Sequence, residues 1–272
     1  MHGSPTLLID GTDPFAESGQ APSLSCRIYR DEDGELSGTP SVGQLRQVIE
    51  QAMETTARQQ DPDWPDGLGR GGGGRVAPAE RRLRAVHQAV LRSFVSTGAA
   101  PAMASLAQNA APFDAAQVLA ELADGDFVFL DEAGQIVAAY PFSALPTPHQ
   151  VRLAGSTTVF AMCAIDALGI SAMTGLPVVI ESADPSTGQP VTVHVDGFSS
   201  TWDPVTAVVY VGHTESQCVG SSASVCCAYM NFFATRASSE TWAASHPNIS
   251  GGILDQDQAL QMGVGIFGRL LS

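Results

Sequence analysis

The residues best suited to chemistry sit in two apolar runs. The first, Phe160-Ala161-Met162-Cys163-Ala164-Ile165-Asp166-Ala167-Leu168-Gly169, carries a thiol and a carboxyl group three positions apart. On a helix, positions i and i+3 share a face, so Cys163 and Asp166 can point into one site. An isolated carboxyl in an apolar run is costly unless it is paired, protonated or used. The second run, Ser224-Val225-Cys226-Cys227-Ala228-Tyr229-Met230-Asn231-Phe232-Phe233, carries two adjacent thiols. Soft sulfurs beside a proton donor suit a thiophilic metal and a bond that must be protonated to break.

These residues need elements to position them, and the pattern expected is α+β. From Pro146 onward the chain reads as short strands separated by Gly and Pro turns: residues 157–160, 177–181, 191–195 and 207–211. A helix follows Cys163, another covers about 238–244, and the last spans about 255–271. Residues 146–272 are thus expected to form the catalytic domain, with a mixed or antiparallel sheet and flanking helices. Before it, residues 78–145 read as three helices and a hairpin, a winged-helix-like module. Pro78 opens the first helix, with Leu83, Val86, Val90, Leu91 and Phe94 on one face, and Asp114 caps the third. The hairpin turns at Asp131-Glu132-Ala133-Gly134. Residues 61–77, with Gly71 to Gly74 in sequence, form a linker. Residues 1–60 weakly resemble the C-terminal half of a thioredoxin-like domain, with a Pro-led strand over residues 5–9 and a helix over about 41–59. That domain's Cys-x-x-Cys occurs nowhere in the chain.

At the chemistry-bearing residues the chain resembles the organomercurial (alkylmercury) lyase family. The resemblance runs through Tyr140-Pro141-Phe142-Ser143, the Cys163 and Asp166 run, Asp184-Pro185-Ser186-Thr187-Gly188, and Cys226-Cys227 with Asn231-Phe232-Phe233. It continues through Trp242 to Pro247 and Gly265-Ile266-Phe267-Gly268, within about residues 79–272. It implies protonolysis of a carbon–mercury bond, giving a hydrocarbon and Hg(II). It assigns catalysis and mercury binding to Cys163, Asp166 and the first of the paired thiols, Cys226. It implies no organic cofactor, an external low-molecular-weight thiol for turnover, and a mercuric reductase as a partner that collects Hg(II). Cys227 is expected to be structural, because strand neighbours point to opposite faces. Cys26 and Cys218 receive no role, and the Asp184 segment reads as a turn.

Composition narrows the alternatives. The net charge is −15 and all 13 basic residues are Arg, a balance that repels nucleic-acid backbones and anionic membranes. A winged-helix metal-sensing regulator acting on DNA is the alternative reading. Its third helix should then be basic, yet that helix carries Asp114, Glu121 and Asp124 and no Arg. Packing is the better reading of the module. Five cysteines, an odd number, argue against a disulfide framework. With no signal peptide or membrane span in view, the expected compartment is cytoplasmic. A cysteine hydrolase would need an imidazole beside Cys163, and no His lies near it in sequence. A zinc site would have to draw on Cys218, Cys226, Cys227 and His213, an unfavourable spacing for one tetrahedral ion.

Overall fold

The computed structural model describes residues 2–4, 15, 23–26, 29–30, 36–46, 48, 76–214 and 227–271. The chain divides into two units, Met1–Trp64 and Pro65–Ser272. In the first, β1 (His2–Ser4) pairs parallel with β2 (Ser23–Cys26), and β3 (Tyr29–Arg30) pairs antiparallel with β4 (Leu36–Ser37). Residues 42–46 and 48 are helical. The expected strand over residues 5–9, most of the expected helix and all of Gly71 to Gly74 lie outside the described residues.

The second unit begins with three helices: α1 (Arg81–Thr97), α2 (Met103–Ala110) and α3 (Ala115–Asp124). Glu80 caps α1 by accepting from the N–H groups of Arg82 and Leu83, and Gly98 ends it at φ 78°, in the left-handed conformation open to glycine. The buried face of α1 is Val86, His87, Val90, Leu91 and Phe94, so the repeat read in the sequence gains His87, while its first member, Leu83, is only half-buried.

Eight strands follow within one antiparallel sheet: β5 (Val128–Leu130), β6 (Ile136–Ala139), β7 (Phe142–Ser143), β8 (Gln150–Leu153), β9 (Thr158–Ala161), β10 (Val178–Ala183), β11 (Pro190–Asp196) and β12 (Ser199–Asp203). Their spatial order is β12-β11-β10-β8-β9-β7-β6-β5. The hairpin β5–β6 that the sequence suggests as a wing is therefore the edge of the same sheet that carries β8 to β12. Alternation sets its faces: in β11, Val191, Val193 and Val195 are buried while His194 and Asp196 are exposed.

A second, three-stranded antiparallel sheet has the order β14-β13-β15, from β13 (Val208–Thr214), β14 (Met230–Phe233) and β15 (Ile249–Leu254). The fold is thus α+β with antiparallel sheets. Helix α4 (Ala164–Thr174) leaves β9 directly and contacts β9, β10, β11 and β14, spanning both sheets. Nearly every residue of α4 is buried, so it lacks the one-sided pattern of a surface helix. Helix α5 (Arg236–Ser245) covers β13 and β14 through Trp242, whose ring lies 5.3 Å from that of Tyr210 and 5.8 Å from that of Phe233.

Helix α6 (Gln256–Phe267) packs on α4. Two glycines make that crossing close. A Cβ on Gly169 would fall 2.6 Å from the Gly263 carbonyl oxygen, and one on Gly263 would fall 2.8 Å from that of Ile165. Among the described residues no helix is long and apolar enough to cross a membrane.

Candidate functional site

Cys163 is the second of the two residues between β9 and α4. The preceding strand is fixed by Phe142↔Ala161 and Ser143↔Phe160 pairing, and the Met162 N–H donates to the Pro141 carbonyl at 3.0 Å. Cys163 itself is extended, with φ −156°, and caps α4: its Sγ accepts the Asp166 N–H at 3.4 Å. That contact explains why three-residue spacing matters here. Asp166 is the third residue of α4, so the capping geometry that satisfies its N–H also holds the Cys163 sulfur beside it. The N-terminal end of a helix favours negative charge, for a thiolate as for a carboxylate.

The second sulfur arrives from the other sheet. Cys227 opens a 3-10 turn, Cys227–Tyr229, which leads straight into β14. The Sγ atoms of Cys163 and Cys227 and a carboxylate oxygen of Asp166 all lie within 4.8 Å of one another. All three residues are buried, at 1%, 7% and 5% exposure. Among the described residues these are the members of the cluster, and no histidine joins it. Met230 adds a fourth group. Its Sδ accepts from the Cys163 thiol at 3.8 Å, and the residue is 1% exposed.

The sequence places Cys163 and Asp166 in one site, and the fold brings them together. Cys226 and Cys218 lie outside the described residues. Cys227, read from strand alternation as facing away, sits instead at the head of a 3-10 turn, where that alternation does not operate. Its sulfur points at Cys163.

Two buried polar groups hold β14 against the larger sheet. His149 precedes β8, is 2% exposed, and pairs its Nδ1 with Ser182 Oγ at 3.0 Å. Burial pushes its pKa down to about 4, opposed in part by a hydrogen bond with Asn231. A neutral imidazole thus spans from β10 to β14. Asp184 is fully buried and accepts four hydrogen bonds: from the N–H groups of Ser186 at 2.8 Å and Thr187 at 3.2 Å, from the Ala234 N–H at 2.9 Å, and from Ser238 Oγ at 2.6 Å. The first two close the turn read in the sequence. The other two tie that turn to the β14–α5 junction, which no local pattern signals.

Residues 142–268 match the family model described as Alkylmercury lyase. The alkylmercury lyase of Bacillus cereus is 31% identical over 137 residues, covering 50% of this chain and 60% of its own. That of Staphylococcus epidermidis is 33% identical over 138 residues, covering 50% and 61%. That of Streptomyces lividans is 32% identical over 149 residues, covering 54% and 66%. The chain thus spans about 60% of the length of the first curated relatives it matches. Among solved structures, the crystal structure of the mercury-bound form of MerB2 superposes with a TM-score of 0.60 at 25% identity, covering 71% of this chain and 92% of that one.

Proposed function

We propose that residues 142–268, which match the family model described as Alkylmercury lyase, place this chain in that family, and that it cleaves the carbon–mercury bond of organomercurials by protonolysis. The observation that carries the reading is the buried gathering of two sulfurs and one carboxylate within 4.8 Å. Thiolates are the natural ligands of a soft metal, and a general acid must reach the carbon that leaves it.

In the proposed sequence Cys163 takes the mercury of the substrate and its thiol proton passes to Asp166. A second sulfur from the Cys226-Cys227 pair then binds, releasing its own proton and the substrate's counter-ligand. Two sulfurs push electron density onto mercury, and the carbon becomes basic. The electron pair of the carbon–mercury bond goes to carbon, which takes the proton from Asp166 and leaves as hydrocarbon. Hg(II) remains on the two sulfurs until an external thiol, or a mercuric reductase, collects it. The balance is one organomercurial and two protein thiols giving one hydrocarbon, one dithiolate of Hg(II) and one protonated counter-ligand. The reduced thiols this requires fit a cytoplasmic setting.

The family resemblance assigns the second sulfur to Cys226, whereas the short distance supports Cys227. Serine substitution at each decides between them. We read the helices α1 to α3 with the β5–β6 hairpin as a winged-helix-like packing module; Glu121 and Asp124 on α3 argue against a DNA-reading face.

The test is hydrocarbon release from phenylmercury in excess thiol. Cys163→Ser and Asp166→Asn are expected to lose turnover by 100-fold or more, on the order of a general acid's contribution. One of Cys226→Ser and Cys227→Ser is expected to lose it equally. Full activity in Cys163→Ser rejects the mechanism.

A further inference from the structure

Cys163 makes a contact that the proposed chemistry does not use: its thiol meets a third sulfur, the thioether of Met230, at 3.8 Å. Both residues are 1% exposed. We propose that Met230 is a third soft donor to the mercury held at this site, a neutral thioether beside the two thiolates. The inference rests on the reading of Cys163 as a mercury ligand.

Two features of the fold support it. Met230 follows Cys227 across a single 3-10 turn, in which positions i and i+3 eclipse. Cys227 and Met230 are therefore brought to the same side, and both reach Cys163. Met230 is also the first residue of β14, in a strand held from behind by the Asp184 and His149 contacts. Its position is thus set by the scaffold rather than by the thiol it touches.

Thioether sulfur belongs with thiolate among the soft ligands that select soft metals. It carries no proton, so coordinating it releases none, and it adds no charge to a neutral mercury dithiolate. It can meet the ion as soon as Cys163 does, and stay as the second thiolate closes. The expected consequence is tighter retention of Hg(II) and slower hand-off to external thiol. The alternative is that Met230 fills core volume, as methionine commonly does.

The test uses the full chain loaded with one equivalent of Hg(II). X-ray absorption at the mercury edge reads the ligands, and competition with a dithiol chelator reads retention. The chain is prepared with methionine and again with selenomethionine, which requires no substitution at the site. A mercury–selenium contact in the labelled chain, absent from labelled Met230→Leu, is the expected result. Met230→Leu is also expected to lose Hg(II) to the chelator about 10-fold more readily, the low end of the effect of a supporting contact on metal affinity. No mercury–selenium contact, with the number of sulfurs on mercury reduced in Cys163→Ser, overturns the role of Met230 and leaves the thiolate site standing. Unchanged mercury–sulfur ligation in Cys163→Ser overturns both.

Discussion

His149 makes the folded chain sensitive to mild acid. Burial moves its pKa from 6.5 to about 4, so between those values the unfolded chain holds a proton that the folded chain does not. Stability then falls as pH falls. Above pH 6.5 the imidazole is neutral in both states and its contribution is constant. Below about pH 4 both states are protonated and the loss is complete. The gap corresponds to about 3 kcal/mol in full, of which roughly 2 kcal/mol is lost by pH 5. Carboxylates interfere little above pH 5, because their ordinary values lie near 4. The assay is chemical unfolding at intervals from pH 7.5 to 5, for the wild type and His149→Gln. Glutamine cannot titrate, although its amide can still reach Ser182 or Asn231. It is expected to be less stable at pH 7.5, with a flatter dependence on pH that narrows the difference toward pH 5. Parallel curves over this range refute the account, since they mean that the acid sensitivity arises elsewhere.

Other perturbations test the frame around the site. Gly263 and Gly265 share α6, yet a Cβ on Gly263 meets backbone of α4 at 2.8 Å while one on Gly265 meets nothing within 4 Å. Gly263→Ala is expected to cost about 1–3 kcal/mol by overpacking, and Gly265→Ala to gain about 0.5–1 kcal/mol of helix stability; thermal unfolding compares them, and equal effects reject the close crossing. Asp184→Ala removes an acceptor from four donors and is expected to cost about 3 kcal/mol or more, with Asp184→Asn recovering part of the loss. A melting temperature unchanged in Asp184→Ala means that the turn does not anchor β14.

Local rules made much of this chain legible. The helical face Val86, Val90, Leu91 and Phe94 and the alternation Val191, Val193, Val195 each record a period set by backbone geometry, and the structure buries them as read. The three-residue spacing of Cys163 and Asp166 reads in the sequence as a shared helical face, whereas the structure joins them through capping, with Cys163 extended ahead of α4 and its Sγ accepting the Asp166 N–H. Strand β8 was harder to see: Gln150-Val151-Arg152-Leu153 alternates but is only four residues long. Strand β15 carries Gly251 and Gly252, which mask a strand in sequence. Gly251 fits because a Cβ there would fall 2.2 Å from the Val211 carbonyl oxygen, a tertiary fact invisible to a local pattern. No local pattern sets His149 apart from the other five histidines of the chain. Its role depends on Ser182 and Asn231, which lie 33 and 82 positions away.

Cys227 shows where a correct rule meets the wrong element. Alternation holds for extended backbone, and the run from Cys226 to Phe233 reads as extended from its apolar residues. The chain instead makes one 3-10 turn before β14 begins. A turn of three residues changes which side chains share a side, and Cys227 and Met230 both reach Cys163. The same turn therefore accounts for the sulfur of Cys227 beside Asp166, a departure from the sequence reading, and for the thioether of Met230 against Cys163, on which the sequence is silent. A cluster built this way has Asp166 and Cys163 at one helix end, and the sulfurs of Cys227 and Met230 on a turn and the start of β14. Motion of β14 would change the distance between sulfurs while leaving Cys163 and Asp166 together, so the contacts of Asp184 and His149 bear on the spacing of the sulfurs more than on the position of the Asp166 carboxylate.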